Sequence, residues 1–369
     1  MSSHHLAASI NSGEVHRHVV NFDLQDHVAS GIEKLRTLRR DLAAALGTGG
    51  VQVVREADRW KLQVPRLDDP PVALLRLHRL DVSLPSHTAM IGLSDSGTPV
   101  LMGFSSGRFG HVLIAGDPRA GKTSLLRTIA VSLALGNRQS TLQLQMMDCR
   151  PDHNGGTRRP ESALVPIGYL PHSLTYPSIG TKQCAEITHF LKEEMAYRRQ
   201  GRVSKPRIVC FIDNVDDLLE YDDSSAGGDL YRLLQYGPKS GIHLVMSTES
   251  ADSPLFEPML NASITMRIIG RIEDPVAARK LSGAGADQAS LLNGEGDFLS
   301  VVENTVTYFQ AAFIGDYDLH LALSEMQSRP MPRLLARPID SRPMLASSQD
   351  PESHSPRKFS MGNGSVELE

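Results

Sequence analysis

The sequence predicts an α/β fold, a sheet of parallel strands flanked by helices, preceded by a small α+β unit. Three observations predict it. Residues 86–327 alternate short apolar runs with helical segments. Several runs are continuously apolar, as strands buried on both faces are. At 116–123 a glycine-rich turn joins one such run to a helix.

Taken in order, residues 1–15 are small and polar and read as a flexible N-terminus. Residues 16–85 read as a small α+β domain. Within it, 18–24 is a strand and 31–46 a helix, because Ile32, Leu35, Leu38, Leu42 and Leu46 recur at three- and four-residue spacing. Gly47, Gly49 and Gly50 stop that helix. Strands are expected at 51–55 and 60–64, before Pro65, Pro70 and Pro71 break the pattern. The larger domain, 86–327, has strand candidates at 111–115, 142–148, 207–213, 242–247, 264–269, 297–302 and 306–312. Residues 328–369 hold many Pro, Ser and charged residues and read as a disordered tail.

Composition excludes several classes. The chain has 369 residues, 40% hydrophobic and 22% charged, which is enough apolar content for a sizeable core. A formal net charge of -4 excludes a histone-like nucleic-acid binder, though not a local basic surface. The three cysteines, Cys149, Cys184 and Cys210, form no CxxC pair, which argues against a zinc ribbon or a disulfide framework and for a reducing compartment. No apolar run approaches the ~18 residues of a membrane helix. The N-terminus lacks the pattern of a secretory signal, so the cytoplasm is the expected location.

The strongest motif is Gly116-Asp117-Pro118-Arg119-Ala120-Gly121-Lys122-Thr123, a full G-x-x-x-x-G-K-[ST]. A strand (HVLIA) precedes it and a helix (TSLLRTIAVSLAL) follows. Such a loop turns backbone N–H groups toward phosphate oxygens, and the helix N-terminus adds a positive dipole end. Together with Ser124, these residues are the expected nucleotide-binding set. Lys122 is expected to reach the β- and γ-phosphates and Thr123 to ligate Mg²⁺. The apolar strand in IVCFIDNVDDLL ends at Asp213, a Walker B pattern and the second expected Mg²⁺ ligand. Asn214 follows where many such ATPases carry a glutamate that polarises water, and an amide is no general base. A third stretch, GIHLVMSTES (241–250), carries Thr248 and Glu249 near its end, the candidate γ-phosphate sensors. Leu281-Ser282-Gly283-Ala284-Gly285 imitates an ABC-transporter signature. It follows Walker B instead of preceding it and reads as a Gly-rich turn. No N-K-x-D motif supports a GTPase.

From about 16 to 327 the sequence resembles the FtsK/SpoIIIE-type motors of the FtsK–HerA superfamily. The resemblance is carried by GHVLIAGDPRAGKTSLLRTIAVSLAL, EEMAYRR (193–199), PRIVCFIDNVDDLL, SGIHLVMSTES and the stretch 261–301. LRRDLAAALG (38–47) and WKLQVP (60–65) look like the small α domain that precedes such motors. The resemblance implies a RecA-like P-loop NTPase core, ATP with Mg²⁺ at subunit interfaces of a hexameric ring, and double-stranded DNA threaded through it. It also implies an arginine supplied by the neighbouring subunit, for which Arg267 and Arg279 are the candidates. Arg150, Arg158, Arg159, Arg199, Arg202 and Lys205, on loops between the Walker motifs, are the candidate phosphate contacts to DNA.

The sequence departs from the family pattern at Asn214, at Glu249 (where Gln is usual), and in the acidic stretch EYDDSSAGGD after Walker B. No C-terminal winged helix is visible. Type VII secretion ATPases share this core and include modules with altered Walker B residues. Two alternatives to a DNA motor therefore stay open: a protein-secretion ATPase, and a nucleotide-binding scaffold with little turnover. A membrane-anchored partner protein is compatible with each reading.

Overall fold

A computed structural model describes residues 10–15, 19–24, 39–47, 51–56, 59–65, 71–80, 83–105, 109–151, 153–154, 157–158, 162–221, 224–250, 264–282, 289–290, 292, 294–303 and 305–328. The expected tail at 328–369 lies outside these residues from 329 onward. So do positions 31–38 of the expected first helix, Arg159, and the Gly-rich turn after Ser282.

The small N-terminal unit is a four-stranded antiparallel sheet. Its strands are β1 (Ile10–Val15), β2 (Val19–Leu24), β3 (Gln52–Glu56) and β4 (Arg59–Pro65), in the order β1-β2-β4-β3. Helix α1 (Arg39–Leu46) lends Leu42 and Ala43 to a core of Leu24, Val51, Val53 and Leu62. The reading of 1–15 as a flexible end needs correction, because β1 pairs with β2 from Ile10↔Leu24 to Val15↔Val20. INSGEV is exposed at every position. Backbone pairing on an edge, rather than burial, makes it a strand, so its composition carries no signal.

The large unit holds a ten-stranded sheet. In chain order its strands are β5 (Thr88–Ser94), β6 (Pro99–Gly103), β7 (His111–Ala115), β8 (Leu142–Asp148), β11 (Ser178–Ile179), β12 (Arg207–Asp213), β13 (Ile242–Thr248), β14 (Ile264–Ile269), β15 (Asp297–Val302) and β16 (Thr305–Ala311). The pair β9 (His153–Asn154) and β10 (Thr157–Arg158) stands apart as a small ribbon. The sheet order is β11-β8-β12-β13-β7-β14-β15-β16-β5-β6. From β11 to β14 all neighbours are parallel. From β14 to β6 all are antiparallel.

The expected parallel sheet is therefore half antiparallel. The cause is local: two residues join β15 to β16 and four join β5 to β6, and such short connections allow only hairpins. The boundary expected at residue 85 also moves. Helix α2 (Leu74–His78) buries Leu74 and Leu77, with Val72, in the core of the large sheet.

Helix α3 (Lys122–Gly136) is buried along most of its length, Leu125, Leu126, Ile129 and Leu133 being fully enclosed. Polar groups are matched where it is buried: Thr128 Oγ1 donates to the Ala312 carbonyl at 2.6 Å and Ser132 Oγ accepts from Met90 N at 2.7 Å. Such matching is the condition for keeping hydroxyls in a core. Among the described residues the unit also holds helices α4 (Thr181–Gly201), α5 (Val215–Leu219), α6 (Ser224–Tyr236), α7 (Pro275–Ser282) and α8 (Asp316–Ser328). In the EEMAYRR stretch of α4, the buried Arg198 bonds Glu194 Oε1 at 2.8 Å and the carbonyls of Pro206 (2.7 Å) and Ser240 (3.1 Å). That stretch fastens α4 to the entries of β12 and β13. The three cysteines are buried free thiols.

Candidate functional site

The site forms where strands β8, β12, β13 and β7 end together. β7 lies between β13 and β14 in the sheet, and the loop leaving it must turn sharply into α3. Arg119 (φ 69°) and Gly121 (φ 97°) make that turn in left-handed conformations. A side chain at Gly121 would also stand 3.0 Å from Gly296 N, so only glycine fits there. The loop is braced from outside: Asp117 N donates to the Arg271 carbonyl at 2.8 Å, Glu273 N to Asp117 Oδ2 at 2.8 Å, and Gly296 N to the Ala120 carbonyl at 3.2 Å.

Lys122 is only 6% exposed. Its Nζ donates to the carbonyls of Gly116 (2.8 Å) and Asp117 (3.0 Å) and to Glu249 Oε1 (2.9 Å). Thr123 Oγ1 donates to Asp213 Oδ2 at 2.7 Å, and Ser247 Oγ to Asp213 Oδ1 at 2.6 Å. The two Mg²⁺ candidates, one on the loop and one on β12, are thus in contact. A hydroxyl beside a carboxylate is a hard, all-oxygen donor pair that fits Mg²⁺. Among the described residues no group of three or more His, Cys, Asp or Glu could hold a metal. An ion at Thr123 and Asp213 therefore depends on phosphate oxygens and water for its remaining ligands.

Asn214 lines the site, but its Oδ1 accepts from Asp216 N at 3.4 Å and caps α5. The candidate sensors separate. Glu249 faces the pocket, whereas Thr248 is fully buried and its Oγ1 is 2.7 Å from Asp216 Oδ1 and 2.8 Å from the Ser250 carbonyl. Asp216 also accepts from Glu249 N at 2.8 Å, which fixes where Glu249 begins. Thr248 is thereby corrected from a phosphate sensor to a brace.

Arg150 also moves. Expected on a DNA-facing loop, it turns back over the end of β8. Its Nε and Nη2 bond Asp148 Oδ1 and Oδ2 at 2.9 and 2.7 Å, and Nη2 is 3.9 Å from Asp213 Oδ2. Asp148 is fully buried, and its charge draws the guanidinium in. That bonding raises the Arg150 pKa against the opposing effect of burial. Asp217, on α5, also lines the pocket. Burial, then the charges of Asp216 and Glu220, push its pKa up to about 6.

The cavity these groups share has a volume of about 1040 Å³ and includes Pro118, Arg119, Gly121, Lys122, Thr123 and Ser124. Arg267, on β14, and Arg279, on α7, do not line it. The Arg267 guanidinium donates to the Leu281 carbonyl at 3.4 Å. Arg199 stacks over Tyr236, 4.8 Å from its ring centre. Arg202, in the left-handed region, caps α4, and Lys205 precedes β12. The Arg158 side chain is outside the described residues.

A phosphate-binding loop between central parallel strands, with an acidic strand end two strands away, defines a RecA-like P-loop nucleotide-binding core. The sequence model of the FtsK/SpoIIIE family matches residues 75–152. The chain is 21% identical over 323 residues to the DNA translocase FtsK of Staphylococcus epidermidis, covering 82% of this chain and 40% of that protein. It is 20% identical over 329 residues to the DNA translocase FtsK of Streptococcus agalactiae, covering 84% and 40%. It is similar to the FtsK/SpoIIIE family over residues 75–152 and spans about two fifths of the length of these relatives.

Solved structures with the same fold include the pCW3 conjugation coupling protein TcpA with ATPγS (TM-score 0.57, 16% identity, 87% of this chain and 92% of that one). The cytoplasmic domain of the type VII secretion ATPase EccC of Thermomonospora curvata is another (0.59, 16%, 73% and 36%). EssC ATPases 2 and 3 of Geobacillus thermodenitrificans are a third (0.58, 20%, 73% and 54%).

Proposed function

We propose that this chain is an ATP-hydrolysing motor that moves double-stranded DNA through an oligomeric, six-membered ring. The carrying observation is the contact between Thr123 and Asp213 beside Lys122, which sets a hydroxyl, a carboxylate and an ammonium together at the end of the loop. Residues 116–124 hold the triphosphate, with loop N–H groups and the α3 N-terminus facing its charge. Thr123 and Asp213 hold Mg²⁺, which when bound neutralises phosphate charge. Glu249 orients the attacking water after ATP has drawn Lys122 away. Arg150 supplies positive charge from within the same subunit, and Arg267 or Arg279 supplies it from the neighbour.

The likeness to FtsK relatives supports DNA as the polymer. Arg199, Arg202 and Lys205 provide a local basic surface on a chain whose net charge is -4. Among the described residues no helix is long and apolar enough to cross a membrane, in keeping with a cytoplasmic motor that docks on a membrane-anchored partner.

One observation favours a second reading, a nucleotide-binding module with slow turnover. Asn214 is committed to capping α5 where a catalytic carboxylate is usual. Steady-state ATP hydrolysis with and without duplex DNA, beside the mass of the assembly with ATP, tests both. DNA-stimulated hydrolysis by a hexamer supports the motor. Tight ATP binding without hydrolysis selects the slow module. Hydrolysis indifferent to DNA points instead to a protein-handling ATPase.

A further inference from the structure

The phosphate end of the cavity is accounted for, but the cavity extends well beyond it. Among the described residues, those of the catalytic end outside the loop lie at or just after the ends of β8, β12 and β13 or on α5, on one side of β7 in the sheet order. The opposite end is built from the other side of β7. There the exit of β16 and the segment before α2 bring Phe313 and Pro71 to the cavity wall.

Phe313 is unusual for a phenylalanine, with 51% of its surface exposed. Its backbone is nevertheless held on both sides: Phe313 N donates to the Val72 carbonyl at 2.7 Å and Leu74 N to the Phe313 carbonyl at 3.0 Å. Leu74, fully buried, anchors that segment in the core. Phe313 and Pro71 are therefore carried by one fixed backbone unit, with an aromatic ring left open to the cavity.

We propose that Phe313, backed by Pro71, is the stacking platform for the purine base of the bound nucleotide. Thr123 and Asp213 fix the β/γ end of a triphosphate, so its remaining length must run away from β12, toward β16. A preset, solvent-open aromatic ring at that end loses little freedom on stacking and gains contact with the face of a planar heterocycle. This proposal rests on the reading of the site as a nucleotide site.

Equilibrium binding of Mg·ATP and of Mg·tripolyphosphate, which has the phosphates and no base, separates the two. Phe313→Ala should raise the Kd for ATP about tenfold, the range of a lost base–aromatic stack. It should leave the Kd for tripolyphosphate unchanged, and Phe313→Trp should restore ATP binding. An unchanged ATP affinity in Phe313→Ala overturns the platform. So does an equal loss for ATP and tripolyphosphate, which would mark Phe313 as structural. Wild-type protein that takes up neither ligand overturns the nucleotide reading itself, and the platform with it.

Discussion

Lys122 and Glu249 form an ion pair inside the phosphate pocket, Nζ to Oε1 at 2.9 Å, between a buried ammonium and a half-exposed carboxylate. The lysine proposed to meet phosphate is already paired with a carboxylate. On the proposed reading of the site, ATP displaces the carboxylate, and displacement leaves Glu249 beside the γ-phosphate. Glu249→Gln removes this competition and also the candidate water-orienting group. The expected result is ATP binding tighter than wild type together with hydrolysis slower by about 10²–10⁴. Binding by fluorescence and steady-state turnover measure the two effects separately. Unchanged turnover removes Glu249 from the mechanism.

Lys122→Ala should abolish ATP binding while the fold stays intact. The lost bonds go to two loop carbonyls and to Glu249, not to the hydrophobic core. Circular dichroism should match wild type while nucleotide-induced protection disappears. A variant that binds and turns over ATP normally would falsify the P-loop assignment.

Asn214 holds the start of α5 through a single long bond of 3.4 Å. Replacing a good cap costs about 1 kcal/mol. Asn214→Glu should therefore fold, and it places a carboxylate next to Asp213. Hydrolysis should rise above wild type if the missing base limits the rate. A flat response means that turnover is limited elsewhere.

The local parts of this site are legible in the sequence and the assembled parts are not. The loop 116–123 and Asp213 announce themselves because a strand, a glycine-rich turn and a helix are contiguous. The neighbouring places of Glu249 and the loop follow once β13 is set beside β7. Asp148, Arg150 and Asp217 carry no such signal. They meet only because β8 lies against β12 in the sheet, a neighbour relation between segments about 60 residues apart. Phe313 is further still, brought in by the hairpins of the antiparallel half.

Arg150 therefore tests the site and the proposed DNA surface independently. Arg150→Ala leaves the buried Asp148 without its bidentate partner, a loss of about 1–3 kcal/mol in urea unfolding. The ~3–5 kcal/mol of a fully buried pair is not expected, because Arg150 is 43% exposed. Hydrolysis should fall, and duplex affinity at fixed salt should not. The combined variant Arg199→Ala/Arg202→Ala/Lys205→Ala should do the reverse, lowering duplex affinity and flattening its dependence on salt by about 0.9 per lost phosphate contact. If Arg150→Ala weakens duplex binding as strongly as that variant, Arg150 belongs to the proposed DNA surface after all.

The strand that carries the loop is tied in place by two neutral histidines, and this makes stability depend on pH. His111, at the start of β7, bonds the Leu234 carbonyl through Nε2 (3.1 Å) and accepts from Leu244 N at Nδ1 (2.9 Å). His243, on β13, bonds the Gly110 carbonyl through Nδ1 (2.8 Å) and lies 3.0 Å from the Arg207 guanidinium at Nε2. Burial first, and then His243, lower the pKa of His111 to about 3; burial first, and then Arg207 and His87, lower that of His243 to about 4. Unfolded, both titrate near 6.5. The stabilisation is complete above pH 6.5 and is lost as pH falls toward 4, because the unfolded chain takes up protons that the folded one refuses. Two such protons give a slope approaching about 2.7 kcal/mol per pH unit below pH 6. Urea unfolding at several values between pH 7.5 and 5 measures it. His243→Gln keeps an amide donor and an acceptor but has no titration, so it should lower the slope by about one proton. An unchanged slope in that variant would assign the acid sensitivity to other groups.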